Sequence, residues 1–144
     1  LSALFHLYLC GRIAAEWLIF MTNQAVEQVR TVIQRYIDGT YRADIPELRS
    51  VFHPHARMTG FLGEEFLLGT PEPFFQDMAS APSMESQGTN YHAEIRELTI
   101  AGRIASVVLY ETGFRGEGVL EDHFQLVCLK GTWSILSKNF TTLS

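Results

Sequence analysis

The chain is predicted to fold as an α+β domain, a cone-like curved antiparallel sheet covered by three N-terminal helices. Three observations predict it. Apolar residues recur at helical spacing only before Ser80. After Asn90 they alternate with polar residues along four longer segments divided by glycine-bearing turns. Helical segments first and strands afterwards is the order of an α+β fold.

From Gln24 to Ile37, Ala25, Val29, Val32, Ile33, Tyr36 and Ile37 form one helical stripe, and Gly39 is the expected C-cap. A second, short helix starts at Asp44. Glu47 three residues later gives a capping-box pattern, and Pro46 suits the first turn. Leu48, Val51 and Phe52 are its apolar face, and His53-Pro54 stops it, because a residue before proline avoids helical angles. Arg57 to Phe61 and Glu65 to Gly69 read as two short strands around Gly63. Thr70-Pro71-Glu72 then opens a third helix with Phe74, Phe75 and Met78. A polar loop from Ala81 to Gly88 leads into strands near Asn90–Ile100, Arg103–Phe114, Val119–Leu129 and Thr132–Thr142.

The chain has 144 residues, enough for one domain with a real core, and 47% of them are hydrophobic. A net charge of −5, two lysines and no basic stripe argue against nucleic acid as a partner. Cys10 and Cys128 give no disulfide framework, which fits a reducing, cytoplasmic setting. Residues 1–20 are apolar but interrupted by Arg12 and Glu16. They lack the pattern of a signal peptide and an unbroken run that would span a bilayer, so no membrane partner is expected. They read as upstream sequence before a domain of residues 21–144 that starts at Met21. The alternative is an amphipathic helix that packs on the domain or touches a membrane.

Lys130-Gly131 fits a two-residue hairpin turn of the primed type. Counting from it, Leu120, Asp122, Phe124, Leu126 and Cys128 share one face, with Asp122 the single acid in an apolar row. The same count sets Cys128 against Trp133, Leu126 against Ile135, Phe124 against Ser137 and Asp122 against Asn139. Glu121, His123, Gln125, Leu136 and Lys138 fall on the opposite face.

Five segments carry a resemblance. They are Tyr36-Ile-Asp-Gly-Thr-Tyr41, Leu48-Arg-Ser-Val-Phe-His-Pro-His-Ala56, Asp122-His-Phe-Gln-Leu126, Gly131-Thr-Trp-Ser-Ile135 and Ser137-Lys-Asn-Phe140. Together they resemble the nuclear transport factor 2-like superfamily, and within it the putative lumazine-binding branch. The resemblance implies a cone-like α+β barrel, commonly a homodimer, with a small-molecule pocket between helices and sheet. Ketosteroid isomerase, scytalone dehydratase and polyketide (SnoaL-like) cyclases share the superfamily, so fold alone does not fix the chemistry. Isomerases of this kind carry their basic aspartate on the strand after the second helix. Here that strand reads Arg57-Met-Thr-Gly-Phe61 and has no acid.

Asp122 and His53 are the candidate catalytic residues: a carboxylate in an apolar row can act as base, and a histidine at the pocket mouth can shuttle a proton. Structural readings compete, with Asp122 bonded to Asn139 and His53 capping a helix end. Tyr36, Phe61, Tyr110, Trp133 and Asn139 are the expected ligand-binding residues, four flat rings and one amide. No metal or cofactor is expected, since His53-Pro-His55 lacks further ligands and no zinc motif occurs. Three functions follow in order. The first is binding of a planar small molecule in an apolar pocket. The second is cofactor-independent isomerisation, dehydration or cyclisation with Asp122 as base. The third is a dimeric interaction module without a working pocket.

Overall fold

The computed structural model describes residues 2–144, with side chains from Leu9 onward. Three helices, α1 (Ser2–Arg42), α2 (Ile45–Val51) and α3 (Glu72–Ser80), accompany six strands. The strands are β1 (Phe52–Leu62), β2 (Glu65–Gly69), β3 (His92–Ala101), β4 (Ile104–Phe114), β5 (Gly118–Leu129) and β6 (Thr132–Thr142). They form one sheet in the order β2-β1-β6-β5-β4-β3. The expected antiparallel sheet is therefore mixed at one seam, because β1 runs parallel to β6. Helix α2 bridges into β1, so the early hairpin reaches the far edge of the last strand and completes the cone.

Helix α1 turns Val29, Val32, Ile33, Tyr36 and Thr40 inward, the stripe set by three- and four-residue spacing. Full burial of each large apolar side chain contributes about 1.5–3 kcal/mol. Gly39 is not the C-cap. The helix runs on to Arg42, and Ala43 takes the left-handed conformation at φ 52° instead. Gly39 is needed for approach, since a Cβ there would lie 3.0 Å from Leu48 Cγ. From Leu9 to Asn23 the helix lies outside the core, with Ile13, Trp17 and Phe20 uncovered.

Asp44 caps α2 as expected, Oδ1 accepting from Glu47 N at 3.1 Å. The reciprocal half of the box is missing because Glu47 pairs with Arg35. Phe52 and His53 already belong to β1, so His53 caps no helix.

The β5–β6 turn is of the predicted kind, with Lys130 at φ 51° and Gly131 at φ 78°. Cys128 faces Trp133 and Leu126 faces Ile135, also as predicted. Beyond these pairs the register departs from the count. Gln125 pairs with Ser137, so Leu136 is one residue too many on β6 and forms a bulge. Leu136 and Ser137 both face outward, and from Lys138 onward every side chain is on the face opposite to that expected.

Candidate functional site

The bulge brings Lys138 inward. Asp122 pairs with Phe140 and Phe124 with Lys138, while Asn139 lies exposed beside His123. The expected Asp122–Asn139 pair is thus replaced by an ion pair, Lys138 Nζ to Asp122 Oδ2 at 2.7 Å. Both side chains are buried, Lys138 at 3% exposure and Asp122 at none. A charge in such a place needs a partner, and each supplies the other's.

Tyr36 ties the helix to this pair. Lys138 Nζ donates to its hydroxyl at 2.6 Å, and the hydroxyl donates to Asp122 Oδ2 at 3.3 Å. Burial, then the charge of Asp122, push the Tyr36 phenol well above its ordinary range, so it stays a neutral donor.

A second acid completes the cluster. The inward row of β4 is Ala105, Val107, Leu109 and Glu111, and Glu111 is the diagonal neighbour of Asp122, since Leu109 pairs with Asp122. Tyr91 donates its hydroxyl to Glu111 Oε2 and stacks on Tyr41, with ring centroids 6.1 Å apart. Burial pushes the Glu111 carboxyl well above the usual carboxylate range, and the charge of Asp122 and a hydrogen bond with Asp122 add to this. Burial also raises the Tyr91 phenol. Charge balance gives the same answer. One buried cation, Lys138, neutralises one carboxylate, so the second carboxyl keeps its proton. Among the described residues Asp122 Oδ1 has no hydrogen-bond partner, and the Glu111 carboxyl is the nearby group whose proton could serve it. The cluster then holds an ammonium donor, a carboxylate acceptor, a neutral carboxylic acid and two phenols. That set can grip a polar edge or exchange a proton.

Aromatic rings wall it in. Lys138 Nζ lies 5.0–5.8 Å from the ring centroids of Tyr36, Phe74, Phe124 and Phe140. Tyr36 and Phe124 meet edge to face at 4.9 Å. The expected open pocket is filled here by these side chains: Asp122, Glu111, Tyr36 and Phe124 are at most 1% exposed. Two surface hollows of about 150 and 220 Å³ lie elsewhere, lined by residues such as Arg35 and Glu47 or Pro82 and Arg115, and both are small for a ligand site.

Of the expected site residues, the structure brings together Tyr36 and Asp122. His53 makes only a local contact, its Nδ1 accepting from His55 N at 3.0 Å, and no hydrogen bond among the described residues joins it to Asp122. Phe61 lies exposed on the outer face against Phe66. Tyr110 is also on the outer face, under the Arg96 guanidinium at 3.5 Å. Trp133 is core, opposite Cys128 and about 20 Å along the strand from Asp122 at some 3.3 Å per residue. Sequence reasoning missed Lys138, Glu111 and Phe74. Glu111 was findable by the alternation that found Asp122. Among the described residues no group of three or more His, Cys, Asp or Glu is placed to hold a metal ion, and no helix is long and apolar enough to cross a membrane.

Solved structures share this architecture. A nuclear transport factor 2-like protein of unknown function from Shewanella baltica superposes with a TM-score of 0.74 at 23% identity, over 84% of this chain and 95% of that one. One from Methylobacillus flagellatus gives 0.75 at 20% identity, over 84% and 94%. A protein from Streptomyces avermitilis, described as a putative dehydratase of the same superfamily, gives 0.62 at 15% identity, over 85% and 98%. At these identities the likeness is one of fold. No curated protein matches the chain. Residues 24–141 match the family model described as putative lumazine-binding, a span that takes in the whole Tyr36–Asp122–Lys138 cluster. The chain therefore belongs to the putative lumazine-binding family, and its fold is that of nuclear transport factor 2-like proteins.

Proposed function

We propose that the protein binds a planar small molecule inside the cone, with the Tyr36–Asp122–Lys138 cluster gripping its polar edge. One observation carries this reading: a buried ion pair with a second buried acid nearby sits in an otherwise apolar, ring-lined interior. Apolar pockets with a few convergent polar groups are the usual form of a ligand site. The family description points to a heteroaromatic guest. Stacking on Tyr36 would supply area, while Lys138 and Asp122 would supply a donor and an acceptor.

Thermal unfolding across a panel of flat heterocycles tests it. A genuine guest present at about a hundredfold above its Kd adds about 2.7 kcal/mol of stability, and Lys138→Met removes that increment. A panel in which no compound stabilises the protein overturns the reading.

A second reading has its own observation. Two buried carboxyl groups, Glu111 and Asp122, lie on neighbouring strands, and burial raises the Glu111 carboxyl, an arrangement suited to acid–base chemistry on a small carbonyl compound. Asp122→Asn should then abolish turnover, and unchanged turnover would exclude Asp122 as base. We further infer a homodimer formed through the outer sheet face, where Ile104, Leu129 and Leu136 are exposed around Val127. Sedimentation equilibrium should give twice the chain mass, and Leu136→Glu should lower it.

A further inference from the structure

We propose that Phe74 occupies the seat of the guest and that α3 is the lid through which the guest enters. This rests on the cluster being a ligand site, and it names what controls access to that site. Four rings surround Lys138 Nζ. Tyr36, Phe124 and Phe140 stand on α1 or the sheet and are buried. Phe74 is the exception, half-buried and carried by α3. Its ring lies within 29° of parallel to that of Tyr36, centroids 6.2 Å apart, and its centroid is 5.3 Å from the ammonium. A flat aromatic guest placed on the same two partners would take that geometry.

The helix carrying this ring is lightly held. Among the described residues, no backbone hydrogen bond ties α3 to any other element. Its attachments are Phe74, Phe75 and Met78 beneath, the Arg49 guanidinium 4.8 Å over the Phe75 ring, a hydrogen bond from Arg115 to the Asp77 carbonyl at 3.2 Å, and two solvent-facing ion pairs made by the same two arginines. Glu72 pairs with Arg49 at 2.6 and 2.7 Å, and Asp77 pairs with Arg115 at 2.7 Å. Exposed ion pairs hold weakly, and a segment with few backbone ties opens before a sheet does. Lifting α3 removes Phe74 from Lys138 and Tyr36 while the six strands keep their ladders.

The two lysines provide the measurement, since Lys130 is exposed at the β5–β6 turn and serves as reference for Lys138. Reductive methylation of the full chain should modify Lys138 far more slowly than Lys130. The Lys138 rate should change little at low urea, as for a local opening. Phe74→Ala should raise it about tenfold or more. It should also leave a ring-sized space that takes indole, as apolar cavities of that size take small aromatics. Indole should then slow Lys138 methylation again and raise the Tm of Phe74→Ala. Phe75→Ala, which loses a ring packed on Phe52 instead, should gain no indole protection. Should Phe74→Ala not fold, Phe74→Leu should show the same effects in smaller measure.

The inference is overturned if Lys138 reacts only through global unfolding, or if Phe74→Ala and Phe75→Ala give equal rates without an effect of indole. A wild-type protein stabilised by a heterocycle while Lys138 stays shut in every variant would remove the lid and leave the ligand site. Indole protection in Phe74→Ala, with no panel compound binding wild type, would remove the ligand reading and leave the lid.

Discussion

On the turn side of Leu136, the β5–β6 ladder sets Cys128 against Trp133 and Leu126 against Ile135. On the far side it sets Phe124 against Lys138, with Asp122 next along the row. The first half is dry core. The second half, on the same face of the same two strands, holds a buried ion pair and reaches a second acid on β4. One extra residue separates them. A regular ladder would put Lys138 in solvent and leave Asp122 facing an amide. The bulge converts a stretch of ordinary core into a site with a charge balance of its own.

The largest test of that contrast removes the cation. Lys138→Met leaves two buried carboxyl groups and no counter-charge, and loss of one partner of a buried pair costs about 3–5 kcal/mol. Urea unfolding at neutral pH should show it. A change of comparable size on the turn side, such as Ile135→Val, should cost only about 0.5–1.5 kcal/mol. Equal losses at the two sites would mean that the ion pair is no more than packing.

The second test uses the proton on Glu111. Its carboxyl is raised in the folded state and ordinary in the unfolded chain. Its contribution to stability is therefore fully present below the unfolded pKa. Above that value the unfolded chain releases a proton that the fold retains, so stability falls by up to about 1.4 kcal/mol per pH unit until the folded pKa is reached. Glu111→Gln keeps an acceptor for Tyr91 and a donor for Asp122 without the proton. It should flatten this slope and be the more stable protein at pH 8. Parallel slopes for the two proteins in urea titrations from pH 5 to 8 would show that Glu111 is charged in the fold.

Tyr36→Phe tests the tie between helix and sheet. The hydroxyl accepts from Lys138 and donates to Asp122, and losing it should cost about 1–2 kcal/mol, since both partners stay buried. A neutral result in thermal unfolding would mean that the ion pair stands without α1.

How far the sequence disclosed this site depends on which interaction placed each residue. The helical stripe, the Asp44 cap, the Lys130-Gly131 turn and the α+β class were readable because each depends on neighbours a few positions away. Asp122 was readable by alternation, and Glu111 equally so, because both strands are regular where these acids sit. Lys138 was not, because a bulge leaves no mark in composition and reverses every assignment beyond it. Phe74 was visible as an apolar helix residue, but its place over Lys138 comes from packing between α3 and β6. His53 failed for a related reason: the chain enters β1 one residue before it, and its ring turns to its own backbone.

The smallest effect separates the two registers most cleanly. If Asn139 faced Asp122 inside the cone, Asn139→Ala would strip a buried carboxylate of its partner and cost about 1–3 kcal/mol. In the bulged register Asn139 is exposed on the outer face, where substitutions stay within about 0.5 kcal/mol. Thermal unfolding of this one variant therefore distinguishes the ladders without any knowledge of the ligand. A loss above about 1 kcal/mol would place Asn139 on the inner face and return Lys138 to solvent. It would also take away the cation that Asp122 pairs with in the core.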